Sequence, residues 1–281
     1  RFSRSLRASF ADFEYVHVDT ISNSPYARVS ESPHRGWAAI SRSLDVDGTV
    51  VLSGPLDSVS SHLELNQTPH IGISWATDAM VFAGASEVNL QAWRRTISKL
   101  SAVVTDNLAT ENALIACGMK SEDIIRFSWG PVRAASTSAE GYSEWNLPKS
   151  GRLVLFARSI DPHYEPLLFV EAISDLCDQT EGTTWCLIEQ GRDIDKAKEQ
   201  IEARGLDEQV LWLPPTSERH LQQMLPSFFC IVSAAVTDGT SVTIREAMDA
   251  GVPVVTSLTN GAAEWVVNGV TGWTFPVGSR A

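Results

Sequence analysis

Short apolar runs rich in β-branched residues alternate along this chain with longer stretches whose apolar positions recur every three or four residues. In the first half FEYVHVDTI, TVVLSG, PHIGISW, AVVTDN and DIIRFSWG read as strands. Between them LDSVSSHLELNQ, NLQAWRRTISKLS and LATENALIACGM have helical spacing and polar faces. In the second half the strands RLVLFAR, TTWCLIEQ, QVLWLPP, CIVSAAV and VPVVTS alternate with the helices PLLFVEAISDLCDQ, DIDKAKEQIEARG, ERHLQQMLPS and SVTIREAMDAG. Such alternation predicts parallel βα units closed by right-handed crossovers. Several strands are apolar at consecutive positions, as a sheet covered by helices on both faces requires. Residues 131–150, PVRAASTSAEGYSEWNLPKS, break the rhythm with a linker composition. The expected organisation is α/β, with two doubly wound Rossmann-like domains facing a cleft. The first domain spans 1–132, a linker 133–150 and the second domain 151–281.

Composition narrows the function classes. With 281 residues, 43% apolar and 20% charged, the chain has the profile of a soluble protein with room for two cores. A net charge of −12 argues against a nucleic-acid partner, because phosphate binding needs a basic face. The first 42 residues hold six Arg against four acids, which reads as a solvated face with at most peripheral membrane contact. No stretch reaches 18 apolar residues. Cys117, Cys177, Cys186 and Cys230 form no C-x-x-C pair and lie in apolar runs, the usage of reduced thiols in a cytoplasmic protein. The chain begins at Arg1 and stops just after a strand-like segment, so both ends read as cut.

The stretch TDGTSVTIREAMDAGVPVVTS (237–257) places Asp238 at the end of a strand and Glu246 eight positions later in the following helix. In open α/β sheets ligands bind beyond the carboxyl ends of the strands. Gly239 permits close backbone approach, and Thr240 or Ser241 can cap a helix starting near Val242. The first free N–H groups of that helix then form an anion site. Gly251 and Pro253 end the helix. The acids themselves repel phosphate, so they suit hydroxyls flanking it: those of a ribose on one side and of a sugar on the other. The bland alternative stands beside this one: Thr243 to Glu246 fits a capping box, and Asp238 a plain turn residue.

The forty-odd residues SAAVTDGTSVTIREAMDAGVPVVTSLTNGAAEWVVNGVTGWTF resemble the donor-binding signature of the retaining glycosyltransferases of family 4, which have the GT-B fold. The shared features are an acid and a Glu separated by seven residues, an Ala-x-Gly-x-Pro-Val-Val helix end, a Gly-x-x-Glu turn and a Gly-x-Thr-Gly turn. The resemblance implies that Asp238 binds the sugar and Glu246 the ribose. Gly239, Thr240, Ser241 and Val242 then meet the diphosphate or sugar, and Glu264 is the acid of the Gly-x-x-Glu turn. LFARSIDPHYEPLLFVEA is similar to the strand and turn whose Arg, here Arg158, binds the diphosphate bidentately. The family's following Lys is absent; His163, Tyr164 and Arg245 are the candidates to compensate. In the first half PHIGISWATDAM resembles a strand ending in a turn with His and Asp; Trp75 stands at the His position, and Asp78 matches the Asp. Asp78 is expected either to contact acceptor or sugar or to cap a helix, and His70 to be a strand residue. Trp129 and Gly130 are expected to be structural.

The resemblance further implies that a first strand precedes Arg1 and that crossing helices follow Ala281. It implies transfer, with retention, of a sugar from a nucleotide-diphosphate sugar to a hydroxyl of a glycan, a lipid-linked or a small-molecule acceptor. Catalytic weight falls on Arg158, Asp238 and Asp78, no metal or other cofactor is expected, and the setting is glycan or cell-envelope biosynthesis. The alternatives are a non-catalytic nucleotide-sugar-binding module and a nucleotide-sugar epimerase on the same fold. Nucleobase, sugar and acceptor are not legible in these residues.

Overall fold

The structure is a computed structural model that describes residues 49–52 (as backbone), 69–74, 76, 79, 86–126, 145 and 147–279. The chain divides into two compact units, Arg1–Phe127 and Ser128–Ala281. The strand expected in FEYVHVDTI, the helix expected in LDSVSSHLELNQ, and Trp75, Asp78, Trp129 and Gly130 lie outside the described residues.

In the first unit the strands β1 (Thr49–Leu52), β2 (His70–Ile73), β3 (Ala102–Thr105) and β4 (Ile124–Arg126) form a parallel sheet in the order β1-β2-β3-β4. Helix α1 (Glu87–Ile97) is capped by Ser86, whose hydroxyl accepts from Asn89 N–H at 3.1 Å. Helix α2 (Leu108–Ala116) is capped by Asn107, whose amide oxygen accepts from Thr110 N–H at 2.8 Å. Trp93, Ile97, Val103, Leu114 and Met119 form the described core. His70 is buried within β2.

The second unit has a six-stranded, wholly parallel sheet. Its strands are β5 (Arg152–Phe156), β6 (Thr183–Ile188), β7 (Val210–Leu213), β8 (Cys230–Ser233), β9 (Val254–Ser257) and β10 (Gly272–Phe275). They run in the order β10-β9-β8-β5-β6-β7. Counted within the unit this is the doubly wound 3-2-1-4-5-6 order, in which the winding reverses between β5 and β8. The helices are α3 (Pro166–Leu176), α4 (Ile194–Ala203), α5 (Glu218–Met224) and α6 (Val242–Asp249).

Side chains alternate across β5, which explains why the sequence has no polar face there. Leu153 and Leu155 join Leu221, Met224, Ile244 and Ala247 in the core beneath α5 and α6. Val154 and Phe156 join Phe169, Ile173, Ala197 and Ile201 beneath α3 and α4. From Leu153 to Phe156 every position is buried, so an apolar run replaces alternation. Trp145, inside the stretch with linker composition, is buried in the first of these cores, its ring 5.0 Å from His220 and 6.4 Å from Phe228. The C-terminal core therefore begins before residue 151.

Candidate active site

The winding reversal places two loops side by side: the one that leaves β5, with Arg158 and Tyr164, and the one that leaves β8, with Asp238 to Ser241. Arg158 and Ser241 are 83 residues apart in sequence, yet Arg158 Nη1 donates to Ser241 Oγ at 2.7 Å. Its other terminal nitrogen, Nη2, lies 2.9 Å from Asp238 Oδ2, with side-chain exposures of only 11% for Arg158 and 20% for Asp238. The Tyr164 ring packs against the guanidinium face, 4.1 Å from ring centroid to Cζ. A planar cation is thus held on its edge by two oxygens and on its face by an aromatic ring, an arrangement that ammonium cannot reproduce. The two loops are also joined by the backbone, since Val236 N–H donates to His163 C=O at 3.0 Å.

Burial raises the pKa of the Asp238 carboxyl. The opposing influences are the Arg158 and His163 charges and hydrogen bonds from the Ser241 hydroxyl and the Gly239 N–H, and they do not cancel it. The neighbouring Asp161 behaves oppositely. Burial pushes it up, but hydrogen bonds from Ser159 and from the side chain and backbone of Arg192 outweigh that and lower its pKa. Ser159 Oγ donates to Asp161 Oδ2 at 2.8 Å, and Arg192 Nε to Oδ1 at 3.0 Å. This cluster pins the loop after β5 to the loop after β6.

Helix α6 begins at Val242 with Ser241 as its N-cap, Oγ accepting from Ile244 N–H at 3.4 Å. Thr243 therefore lies inside the helix, and the capping-box reading of Thr243 and Glu246 does not hold: the cap is Ser241, two residues earlier. The helix ends in a Schellman motif. Gly251 takes φ +72, Val252 N–H donates to Ala247 C=O at 2.9 Å and Gly251 N–H to Met248 C=O at 3.1 Å. Glu246 is 3% exposed and faces α5, where Gln222 Nε2 donates to its Oε1 at 2.7 Å. Gly239, Thr240 and Ser241 are buried as well. The first N–H groups of an α-helix and a held guanidinium thus converge on the β5–β8 edge, a charge arrangement that accommodates an anion.

A third loop supports the second. Gly261 takes φ −74, which any residue can adopt. A Cβ there would fall 1.9 Å from Gly239 C=O oxygen and 2.9 Å from Thr240 N. Glycine is required at 261 for approach, not for conformation. Gly261 N–H donates to Asp238 C=O at 3.3 Å. Glu264 closes the following 3-10 turn, Ala262–Glu264, and is exposed.

Of the residues singled out in the sequence, Arg158, Asp238 and Ser241 meet directly, and Gly239, Thr240, Val242 and Glu246 belong to the same loop and helix. Asp78 lies outside the described residues. Among the candidates to compensate for the missing Lys, Tyr164 contacts Arg158, whereas Arg245 lies over the Trp265 ring at 4.4 Å. Gln222 and the support role of Gly261 were not legible from spacing; both depend on contacts between separate elements. Among the described residues no group of three or more His, Cys, Asp or Glu is placed to hold a metal ion. No helix among them is long and apolar enough to cross a membrane. The four cysteines are free, with burial raising Cys186 to about 12 and Cys230 to about 11.

Comparison with known proteins agrees with this geometry. The profile of the family described as "Glycosyl transferases group 1" matches residues 141–281. No curated protein sequence matches the chain. Among solved structures, Anabaena HepE in complex with UDP and glucose aligns with a TM-score of 0.71 at 17% identity, over 87% of this chain and 68% of that one. Sucrose-phosphate synthase from Thermosynechococcus elongatus aligns with a TM-score of 0.75 at 15% identity, over 94% of this chain and 74% of that one. Staphylococcus aureus TarM, in complex with Fondaparinux, alpha-GlcNAc-glycerol and UDP, gives 0.68 at 17% identity, over 87% of this chain and 49% of that one. These structures share the GT-B fold of two Rossmann-like domains.

Proposed function

The chain belongs to the family of group 1 glycosyl transferases, and on that premise we propose that its C-terminal unit binds a nucleotide-diphosphate sugar and transfers the sugar, with retention, to an acceptor hydroxyl. One observation carries the reading: Arg158, Asp238 and Ser241 are drawn together at the point where the strand order reverses. That point is where doubly wound sheets bind nucleotides. HepE and TarM were solved with UDP, which supports a nucleotide donor and a glycan-type acceptor here.

In the proposed mechanism the diphosphate lies at the N-terminus of α6. Its negative charge grows as the bond to the sugar breaks. Arg158 and the N–H groups from Gly239 to Val242 stabilise that charge as donors fixed in advance, which lowers the barrier without reorganisation. For this Arg158 must release Asp238 or share its guanidinium between carboxylate and phosphate. Asp238, once ionised, accepts from sugar hydroxyls and orients the anomeric carbon toward the acceptor. Glu246 accepts from the ribose. The charge stabilisation assigned to these groups requires no metal, and the acceptor-side or sugar-side role proposed for Asp78 rests on its sequence motif alone. The four free thiols support a cytoplasmic setting, and the family resemblance suggests glycan or cell-envelope assembly as the role.

The test is a thermal-shift panel of UDP, GDP, ADP and their sugar conjugates on the wild type, Arg158→Ala and Glu246→Ala, followed by donor turnover with and without acceptor. One nucleotide series at a hundred times its Kd adds about 2.7 kcal/mol to the folded state. Each variant is expected to weaken that nucleotide by about ten- to a hundredfold, the cost of one charge-assisted bond. Full binding and turnover in both variants would refute the site. Binding without turnover supports the non-catalytic module instead, and conversion of the donor sugar without acceptor supports an epimerase.

A further inference from the structure

We infer that Gln222 is a positioning residue that sets Glu246 for the hydroxyls of the donor's ribose, an inference that rests on the assignment of Glu246 to the donor site. The observation is a contact between elements: Gln222 on α5 donates through Nε2 to Glu246 Oε1 on α6 at 2.7 Å, across 24 residues of sequence. Both helices pack on the same face of the sheet, through Leu221 and Met224 from one and Ile244 and Ala247 from the other. The α5–α6 spacing is thereby set by apolar packing, and the amide-to-carboxylate bond forms at a fixed distance.

Why an amide should stand there follows from the chemistry of the pair. A carboxylate buried to this degree needs a donor, or it favours its neutral form. An amide N–H occupies one lone-pair position of a carboxyl group and adds no charge of its own. The bond from the amide to Oε1 fixes the orientation of the carboxyl group. Such a group favours neutral hydroxyls that donate to it and repels phosphate, so it discriminates the diol end of a nucleotide from its phosphate end. Gln222 is half-buried and Glu246 buried; the amide can hold Glu246 without touching the ligand.

The experiment measures Kd by titration on the full chain for UDP and for 2′,3′-dideoxy-UDP, with wild type, Gln222→Leu and Glu246→Ala. GDP and ADP with their dideoxy forms replace UDP if the wild type binds either more tightly. Gln222→Leu is expected to weaken UDP by about tenfold, the lower range for a bond to a charged group. It is expected to leave dideoxy-UDP unchanged, since that ligand has no diol for Glu246 to hold. Equal loss for both ligands would mean a structural role only, and no loss for UDP would mean no role; either overturns the inference. Loss in Glu246→Ala with none in Gln222→Leu overturns the inference and leaves the donor-site assignment standing. No binding of any of the three nucleotides by the wild type overturns both.

Gln222→Glu supplies a second variant in case the leucine does not fold. Two carboxyls at this separation share a proton at low pH, which restores the donated bond, and repel when both ionise. The ratio of variant to wild-type Kd for UDP is therefore expected to rise about tenfold between pH 5.5 and pH 8. A ratio that stays flat across that range overturns the inference.

Discussion

Gly261→Ala tests whether the loop from Asp238 to Ser241 is held in register by its neighbour. The added Cβ would lie 1.9 Å from the Gly239 carbonyl oxygen, 2.3 Å from its carbon and 2.9 Å from Thr240 N. All three are backbone atoms, so no rotamer change relieves the contact. Ordinary contact begins near 3.4 Å, so one loop must move by about 1.5 Å. Overpacking of this kind costs about 1–3 kcal/mol, a drop in Tm of roughly 3–10 °C for a unit of this size. The larger effect is expected in the site. A displacement near 1 Å at a positioning loop can reduce rate about a hundredfold. The assay pairs Tm with nucleotide Kd and donor turnover. Gly251→Ala is the control: at φ +72 it strains the end of α6, and its Cβ meets nothing within 4 Å. The control should lose about 1 kcal/mol of stability and keep its turnover relative to the folded fraction. If Gly261→Ala binds nucleotide and turns over like wild type while the control behaves as stated, the loop is not the donor site or is not rigid, and the reasoning fails.

Two further predictions concern pH, with opposite signs. Asp238 has a raised pKa, so its contribution to stability is fully present below its unfolded pKa and is lost as pH rises through its folded value. Asp238→Asn removes that dependence, and the Tm difference of variant minus wild type is expected to grow more positive from about pH 4 to neutrality; a difference that shrinks would contradict the burial argument. Asp161 has a lowered pKa, so it stabilises above its unfolded value and loses that contribution as pH falls through its folded value. Asp161→Asn is expected to lower Tm at pH 7 with the deficit closing toward pH 3, and a deficit constant with pH would refute the role of its Ser159 and Arg192 bonds.

Much of the local structure was legible from residue order because its causes are local. Ser241 caps α6 and Gly251 ends it because cap chemistry acts within a turn. The apolar runs at 152–156 and 183–188 read as strands because both faces of a doubly wound sheet are covered. Strand β10 was less clear: only four residues long, it carries an exposed Trp273 and forms the sheet's edge, so neither alternation nor a continuous apolar run marks it. The choice between cap and ligand for Glu246 was open in sequence, because Thr243 and Glu246 have capping-box spacing. The structure sets aside the capping box, because the cap falls at Ser241 and Glu246 accepts from Gln222 instead.

By itself, then, the sequence determined the alternation of strands and helices, the helix ends, and the loop chemistry of Asp238 to Val242, since period and capping are properties of neighbouring residues. Only the tertiary structure decided what those groups face. The pairing of β5 with β8 brings Arg158 to Ser241 and Asp238. The packing of α5 beside α6 brings Gln222 to Glu246, and the loop after β9 lays Gly261 on Gly239. Each of these contacts joins segments whose order along the chain carries no distance, and burial of the sheet's two faces, a property of the whole unit, is what sets them together.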